Sequence, residues 1–401
     1  MVQAVKVDVA IFGGGIAGLW ALTRLRQAGY AAVLFETEAL GAGQTVKSQG
    51  IIHGGMKYAL HGALTSEVTT MAAMPTLWQD CLHGLGEINL SKAALLSKTQ
   101  YLWSPGLLTA KITGFLAGMA MRSKVAAVKP NDYPDVFQNK KFKGALYALD
   151  EIVLDVPSVI DELSTLNRGA IFKIRSLTQN DLHFDAQGRF LSADLHVEDT
   201  KATLTADHVV FVAGEGNALV VNQLKRPGLG MQRRPLHMVM VKTPFYYPLY
   251  AHCMGVGQRP RLTVTTHRLQ NGEAVWYLGG LLAEEGNDRD AAAQIQAAKH
   301  ELENLFPWLD FSAAKYATLR VDRAEPKTAD GLKPETFFAE SNHNLTVAWP
   351  TKLALAPALA ASIVETIKAR RFSPSKTSLP DWPAPSVAKP LWETCLWKSA
   401  D

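Results

Sequence analysis

The sequence predicts an α/β fold built from two interleaved parts: a βαβ-based unit that the chain leaves and re-enters, and a domain of largely antiparallel strands. Three observations predict it. A short apolar strand runs without a gap into a glycine-rich turn and a helix near the N-terminus. Far downstream, "HVVFVA" (208–213) is almost wholly apolar, as a strand buried on both faces must be. Between these and the C-terminus, alternating strands flank an Asn271-Gly272 pair, the residues that a tight hairpin turn requires.

Composition sets the bounds. The chain has 401 residues, 47% hydrophobic and 19% charged, long enough for two cores. A net charge of +4 is too weak to argue for a nucleic-acid partner. Cys81, Cys253 and Cys395 lie far apart and form no CxxC pair, so neither a metal centre nor a disulfide framework is expected. No apolar run reaches the ~20 residues that span a bilayer. With no leader-like N-terminus, a cytoplasmic protein is expected, with peripheral contact to the inner face of a membrane left open.

The elements follow in order. "KVDVAIF" (6–12) reads as a buried strand, and Ile16, Leu19, Leu22 and Leu25 then recur at helical spacing. Gly29 stops that helix, and "AAVLFE" (31–36) is the second strand. From 151, "EIVLDVPSVIDELSTLNRGAIFKIRSL" reads as strand, helix with Pro157 in its first turn, and strand, with Gly169 at the stop. A meander leads to "HVVFVA". After the 261–280 hairpin comes a helix with Ile295, Ala298, Leu302 and Leu305 on one side. "LTVAW" (345–349) is a strand and "APALAASIVETIKARR" (356–371) a helix. The proline- and lysine-containing segment 372–401 reads as a loosely held tail. The expected division is 1–84, 151–225 and 326–371 for the first domain, with 85–150 and 226–325 for the second.

Gly13, Gly15 and Gly18 give GxGxxG between a strand and a helix, and Glu36 closes the next strand. Gly13 makes the tight turn, Gly15 admits a pyrophosphate to the backbone, and Gly18 lets helix and strand pack closely. The positive helix N-terminus favours the phosphates, and Glu36 can accept from ribose hydroxyls. A dinucleotide site is therefore predicted. The fingerprint leaves NAD and FAD open.

The rest of the chain resolves that choice through a resemblance. The order of GxGxxG…Glu36, "GAGQTVKSQGIIHGG", "EIVLDVPSVIDEL", "HVVFVAGEGN" and "EPKTADG…NLTVAWPTKLALAPALA" resembles the D-amino-acid-oxidase-like FAD oxidoreductases over about residues 5–370. That superfamily includes glycine and sarcosine oxidases, flavin-linked glycerol-3-phosphate dehydrogenase and L-2-hydroxyglutarate dehydrogenase. The resemblance implies FAD held by a Rossmann-like domain, with a mixed, largely antiparallel sheet over the flavin ring. It also implies cofactor contacts from Ile16, Ala17, Thr45, Ser48, Gln49, Gly50, Leu177, Ala213, Gly214, Thr351, Lys352 and Leu353.

"SQGIIHGGMKYAL" (48–60) is most similar to the hydroxy-substrate branch. By that match His53 lies beside the flavin as the base that takes a hydroxyl proton, or, as in some relatives, as a covalent flavin attachment. Lys57 and Tyr58 would face the substrate, lysine standing where the glycerophosphate enzyme has arginine. Lys352 matches a lysine near the reduced ring, where a cation stabilises negative charge. His267 is a second base candidate. Arg320 or Arg323 would grip a substrate carboxylate, and Trp349 would wall the site.

The expected activity is FAD-dependent oxidation of a small anionic substrate, a 2-hydroxy acid or polyol phosphate, with oxygen, a quinone or a protein as electron acceptor. The alternatives are an amine or amino-acid oxidase of the same fold, an RNA-associated flavoprotein using "QNKKFKG" and "KARRFSPSK", and a non-catalytic FAD-binding protein.

Overall fold

The computed structural model describes residues 2–54, 66–105, 125–255, 259–328, 331, 334, 336–372, 375 and 379–400, with the side chains of 66–68 left out. Two eight-stranded sheets and one three-stranded sheet organise them. In the first sheet, strand Gln3–Phe12 pairs in parallel with Ala32–Glu36 on one side and Thr200–Phe211 on the other. Leu345–Trp349 joins the C-terminal half of Thr200–Phe211, also in parallel. Val209 and Val210 pack into cores on opposite faces of this sheet, which is why "HVVFVA" carries no alternation.

Helix Ile16–Gln27 buries Ile16, Leu19, Leu22 and Leu25 as their spacing requires, and packs against helix Ala356–Ala369. Ala28 ends it, and Gly29 follows at φ +92°, the left-handed position that glycine occupies without strain.

The second sheet runs in the order Lys315–Pro326, Met231–Lys242, Ala274–Gly279, Pro260–Arg268, Ala251–Met254, Gln100–Ser104, Ala145–Leu149, Val125–Ala127. All neighbours are antiparallel except Ala251–Met254 with Gln100–Ser104. Helix Ala291–Leu305 covers one face through Ile295, Ala298, Leu302 and Leu305. The other face, with Leu102, His252, Thr263 and Met238, turns toward a large cavity between the two sheets.

The small third sheet matters most for chemistry. Ile51–Ile52 lies antiparallel to Ile152–Leu154 with Ile52 opposite Ile152, so the next residues outward, His53 and Glu151, must meet.

The C-terminal segment corrects one expectation. Instead of a loose tail, its described residues form a strap between the two large sheets. Leu40 and Ser386, Ala388 and Leu40, and Lys173 and Pro383 exchange backbone hydrogen bonds at the first sheet. Lys398 then pairs with Tyr316 on the edge strand of the second. Trp392, buried, is the apolar anchor that composition alone did not reveal.

Candidate active site

A cavity of about 1030 Å³ separates the first sheet from the second. Gly13, Gly15, Ile16 and Ala17 line it at the start of the first helix. Gly13 has φ +116°, and a Cβ there would lie 2.6 Å from Ala213 Cα. Gly18 does not reach the cavity; a Cβ on it would lie 1.9 Å from the Gly13 carbonyl oxygen, so it governs helix–strand packing. Gly15 differs from both. Its added Cβ would meet only Thr45 Oγ1, at 3.1 Å, and otherwise point into open space. The first turn of this helix carries no acidic side chain of its own, and its N-terminal end borders the cavity.

Glu36 also lines the cavity. Its carboxylate is held by the backbone N–H groups of Gly14 at 2.6 Å, Thr37 at 2.7 Å and Glu38 at 2.8 Å. Thr45, Ser48, Gln49, Gly50, Leu177, Ala213, Gly214, Thr351, Lys352 and Leu353 complete the lining expected of the cofactor-binding set. The 44–49 loop is stitched across to the second sheet: Gln44 donates to the Ala324 carbonyl at 3.2 Å and Gln49 to the Tyr277 carbonyl at 2.9 Å. Thr351 adopts φ +58°, unusual for a β-branched residue, and its hydroxyl donates to the Thr336 carbonyl. Trp349 is buried, donates to the Gly214 carbonyl at 2.9 Å and lines the wall.

Another part of the wall carries His53, Glu151 and His252 together with Met71, Leu102, Leu149 and Met254. Nδ1 of His53 lies 3.2 Å from Glu151 Oε2, and the Gly54 N–H donates to Glu151 Oε1 at 3.1 Å. The His53 and His252 rings stack with centroids 5.6 Å apart, and His252 Nδ1 bonds Thr263 Oγ1 at 2.9 Å. Glu151 and His252 escaped the sequence reading. Glu151 opens the quoted "EIVLDV" strand, yet only the antiparallel register with Ile51–Ile52 brings it to His53.

Arg323 lines the cavity, donating through Nε to the Arg234 carbonyl at 3.2 Å. Burial, and then Arg234, lower its pKa from the ordinary guanidinium value. Arg320, three residues earlier on the same strand, falls on the opposite face by simple alternation. It lies outside the cavity and is spent on the carbonyls of Asn287 and Arg289. His267 also lies outside. It shares a sheet face with Thr263, but four residues further on, roughly 13 Å along the strand. There Trp392 stacks on it with centroids 3.9 Å apart, and burial pulls its pKa down to about 3. The carboxylate grip expected of Arg320 and the base role expected of His267 are therefore not carried forward. Lys57 and Tyr58 lie outside the described residues.

The family model described as FAD dependent oxidoreductase matches residues 8–351. The chain belongs to the FAD-dependent oxidoreductase family. A Pseudomonas aeruginosa relative, named "Probable FAD-dependent oxidoreductase PA4991", is 48% identical over 398 residues, 99% of this chain and 100% of the relative. The crystal structure of the P. aeruginosa FAD-dependent oxidoreductase PA4991 superposes with a TM-score of 0.82 at 42% identity, covering 98% of this chain and 99% of that one. More distant structures share the fold. Glycine oxidase from Geobacillus kaustophilus gives a TM-score of 0.62 at 17% identity, covering 95% of this chain and 100% of that one. FAD-bound L-α-glycerophosphate oxidase from Mycoplasma pneumoniae gives 0.65 at 14%, covering 94% and 97%.

The oxidoreductase has a site that fits FAD on its own evidence. Gly15 leaves space that only a side chain or a ligand would fill, beside a helix N-terminus. Ser48 Oγ is buried at the cavity wall with no hydrogen-bond partner among the described residues, a polar atom awaiting a ligand. Among the described residues no helix is long and apolar enough to cross a membrane.

Proposed function

We propose that this oxidoreductase takes a hydride from a carbon bearing a hydroxyl group on a small anionic substrate, of the 2-hydroxy acid or polyol phosphate class. The observation that carries the reading is His53 on the cavity wall, with one ring nitrogen held by Glu151. Bound FAD supplies the two-electron acceptor. Oxidising an alcohol to a carbonyl also releases the hydroxyl proton, and the second ring nitrogen of His53 is the base for it.

Anion recognition falls to Arg323 and Lys352, which line the same cavity. Arg323 is held by a backbone carbonyl and carries no carboxylate partner among the described residues, so its terminal nitrogens suit a carboxylate or phosphate. Lys352 sits where strand Leu345–Trp349 gives way to helix Ala356–Ala369, and its cation would offset negative charge gained on reduction. Gly13, Gly15, Glu36 and Ser48 would hold the cofactor's phosphate and ribose groups.

Anaerobic bleaching of the bound flavin tests the reading, with 2-hydroxy acids, polyol phosphates and amino acids offered separately. Bleaching by an anionic hydroxy compound supports it. Bleaching by amino acids alone replaces it with amine oxidation, which needs no base for a neutral amine.

A further inference from the structure

We propose that Glu151 is the positioning residue for His53, fixing the ring proton on Nδ1 and leaving Nε2 as a bare acceptor. The inference rests on the hydroxyl-oxidation reading for its purpose, but not for its geometry.

Glu151 is 4% exposed, and a buried carboxylate must have its oxygens satisfied. Both are: Oε1 takes the Gly54 N–H at 3.1 Å, and Oε2 faces His53 Nδ1 at 3.2 Å. A carboxylate only accepts, so Nδ1 must carry the hydrogen and Nε2 keeps its lone pair. The pairing is built into the backbone. His53 and Gly54 directly follow Ile52, and Glu151 directly precedes Ile152, its partner across the small sheet. In the reaction the substrate C–H leaves as hydride to FAD, the O–H proton moves to Nε2, and the substrate becomes a carbonyl. The imidazolium formed then lies against the Glu151 carboxylate, which stabilises it.

The side-chain atoms of His53, Glu151 and His252 lie within 4.8 Å of one another, a spacing that also invites a metal ion. The direct bond between His53 and Glu151, and the bond from His252 Nδ1 to Thr263, favour the proton-holding arrangement.

The backbone makes one substitution decisive. In Glu151→Gln the Gly54 N–H can only donate, so it selects the amide oxygen. The amide NH₂ is then turned toward His53 Nδ1, which must accept, and the ring proton moves to Nε2. The side chain keeps its size while the tautomer inverts.

The experiment is long-range ¹H–¹⁵N spectroscopy of ¹⁵N-histidine-labelled holoprotein at about pH 8, where an ordinary imidazole is neutral. His53 is assigned by its loss in His53→Asn. The wild type should show the proton on Nδ1, Glu151→Gln the proton on Nε2, and Glu151→Ala a mixture. No substrate is needed, so the result stands apart from whether hydroxy acids bleach the flavin. Where a hydroxy compound does bleach it, Glu151→Gln should slow reduction on the order of 10²-fold or more while FAD content is kept. A wild-type proton on Nε2, or a tautomer unchanged in both variants, overturns the proposal. So does a stoichiometric divalent metal in the purified holoprotein, because Glu151 would then be a ligand.

Discussion

Tyr277 and the 47–49 loop hold each other beside the cavity: the phenol donates to the Lys47 carbonyl at 2.9 Å, while Gln49 donates back to the Tyr277 carbonyl at 2.9 Å. Tyr277 belongs to the second sheet, and the loop follows the glycine-turn unit of the first. The pair therefore ties the second sheet to the loop that lines the cavity. Tyr277→Phe removes the donor, keeps the buried ring, and strands the Lys47 carbonyl. A stability loss of about 1–2 kcal/mol is expected, together with weaker FAD retention. Thermal melts and flavin release on dilution measure both; unchanged values for the two would show that the tie bears on neither.

The glycines of the turn should fail in different ways. A Gly18 side chain strikes the Gly13 carbonyl at 1.9 Å, where backbone would have to yield. Gly18→Val should yield little folded protein. Gly15→Leu meets only the Thr45 hydroxyl and fills the space beside the helix N-terminus. It should fold and be colourless. Circular dichroism with extracted flavin content separates the outcomes, and a yellow Gly15→Leu protein would contradict the assignment of the phosphate end.

Much of this site was legible locally. Strand, GxGxxG, helix and Glu36 are consecutive, so spacing alone predicted their placement, and the structure brings Gly13, Gly15 and Glu36 onto one cavity wall. Contacts made between distant segments were not. Glu151 meets His53 only through an antiparallel register, 98 residues apart in sequence. His267 shows the reverse failure: period-2 reasoning puts it on the cavity-facing side of the sheet but does not reveal that Trp392 covers it. Arg320 and Arg323 are told apart by alternation once the strand is known to be continuous from Lys315 to Pro326.

His267 gives a pH prediction. Its folded pKa, about 3, lies below the ordinary histidine value of 6.5, so the unfolded chain binds a proton that the folded chain refuses. The neutral ring's burial is tolerated above the unfolded value, and stability falls as pH drops from about 6.5 toward about 3. At about pH 5 the loss is about 2 kcal/mol. His267→Phe keeps the stack on Trp392 and removes the titration, so it should flatten that part of the acid limb and leave flavin reduction intact. Melts between pH ~7 and ~5 read the slope; an unaltered acid limb would place the buried cost elsewhere, for example at His208, whose pKa burial also lowers to about 3.

Lys352 should act on charge rather than folding. Lys352→Met keeps the apolar stem and removes the cation, so FAD content should stay near normal. Flavin reduction should slow by at least ~10-fold, the scale of one pre-organised charge contact. Stopped-flow reduction checks it, and a wild-type rate would make the lysine a bystander.

The most direct test of hydroxyl oxidation at His53 is anaerobic flavin reduction by anionic hydroxy compounds, wild type against His53→Asn. At least one of them should bleach the wild-type flavin. His53→Asn should retain FAD but reduce it on the order of 10²-fold more slowly, because His53 is the group assigned to take the hydroxyl proton. Bleaching by amines alone, at a rate that His53→Asn leaves unchanged, would contradict hydroxyl oxidation at His53.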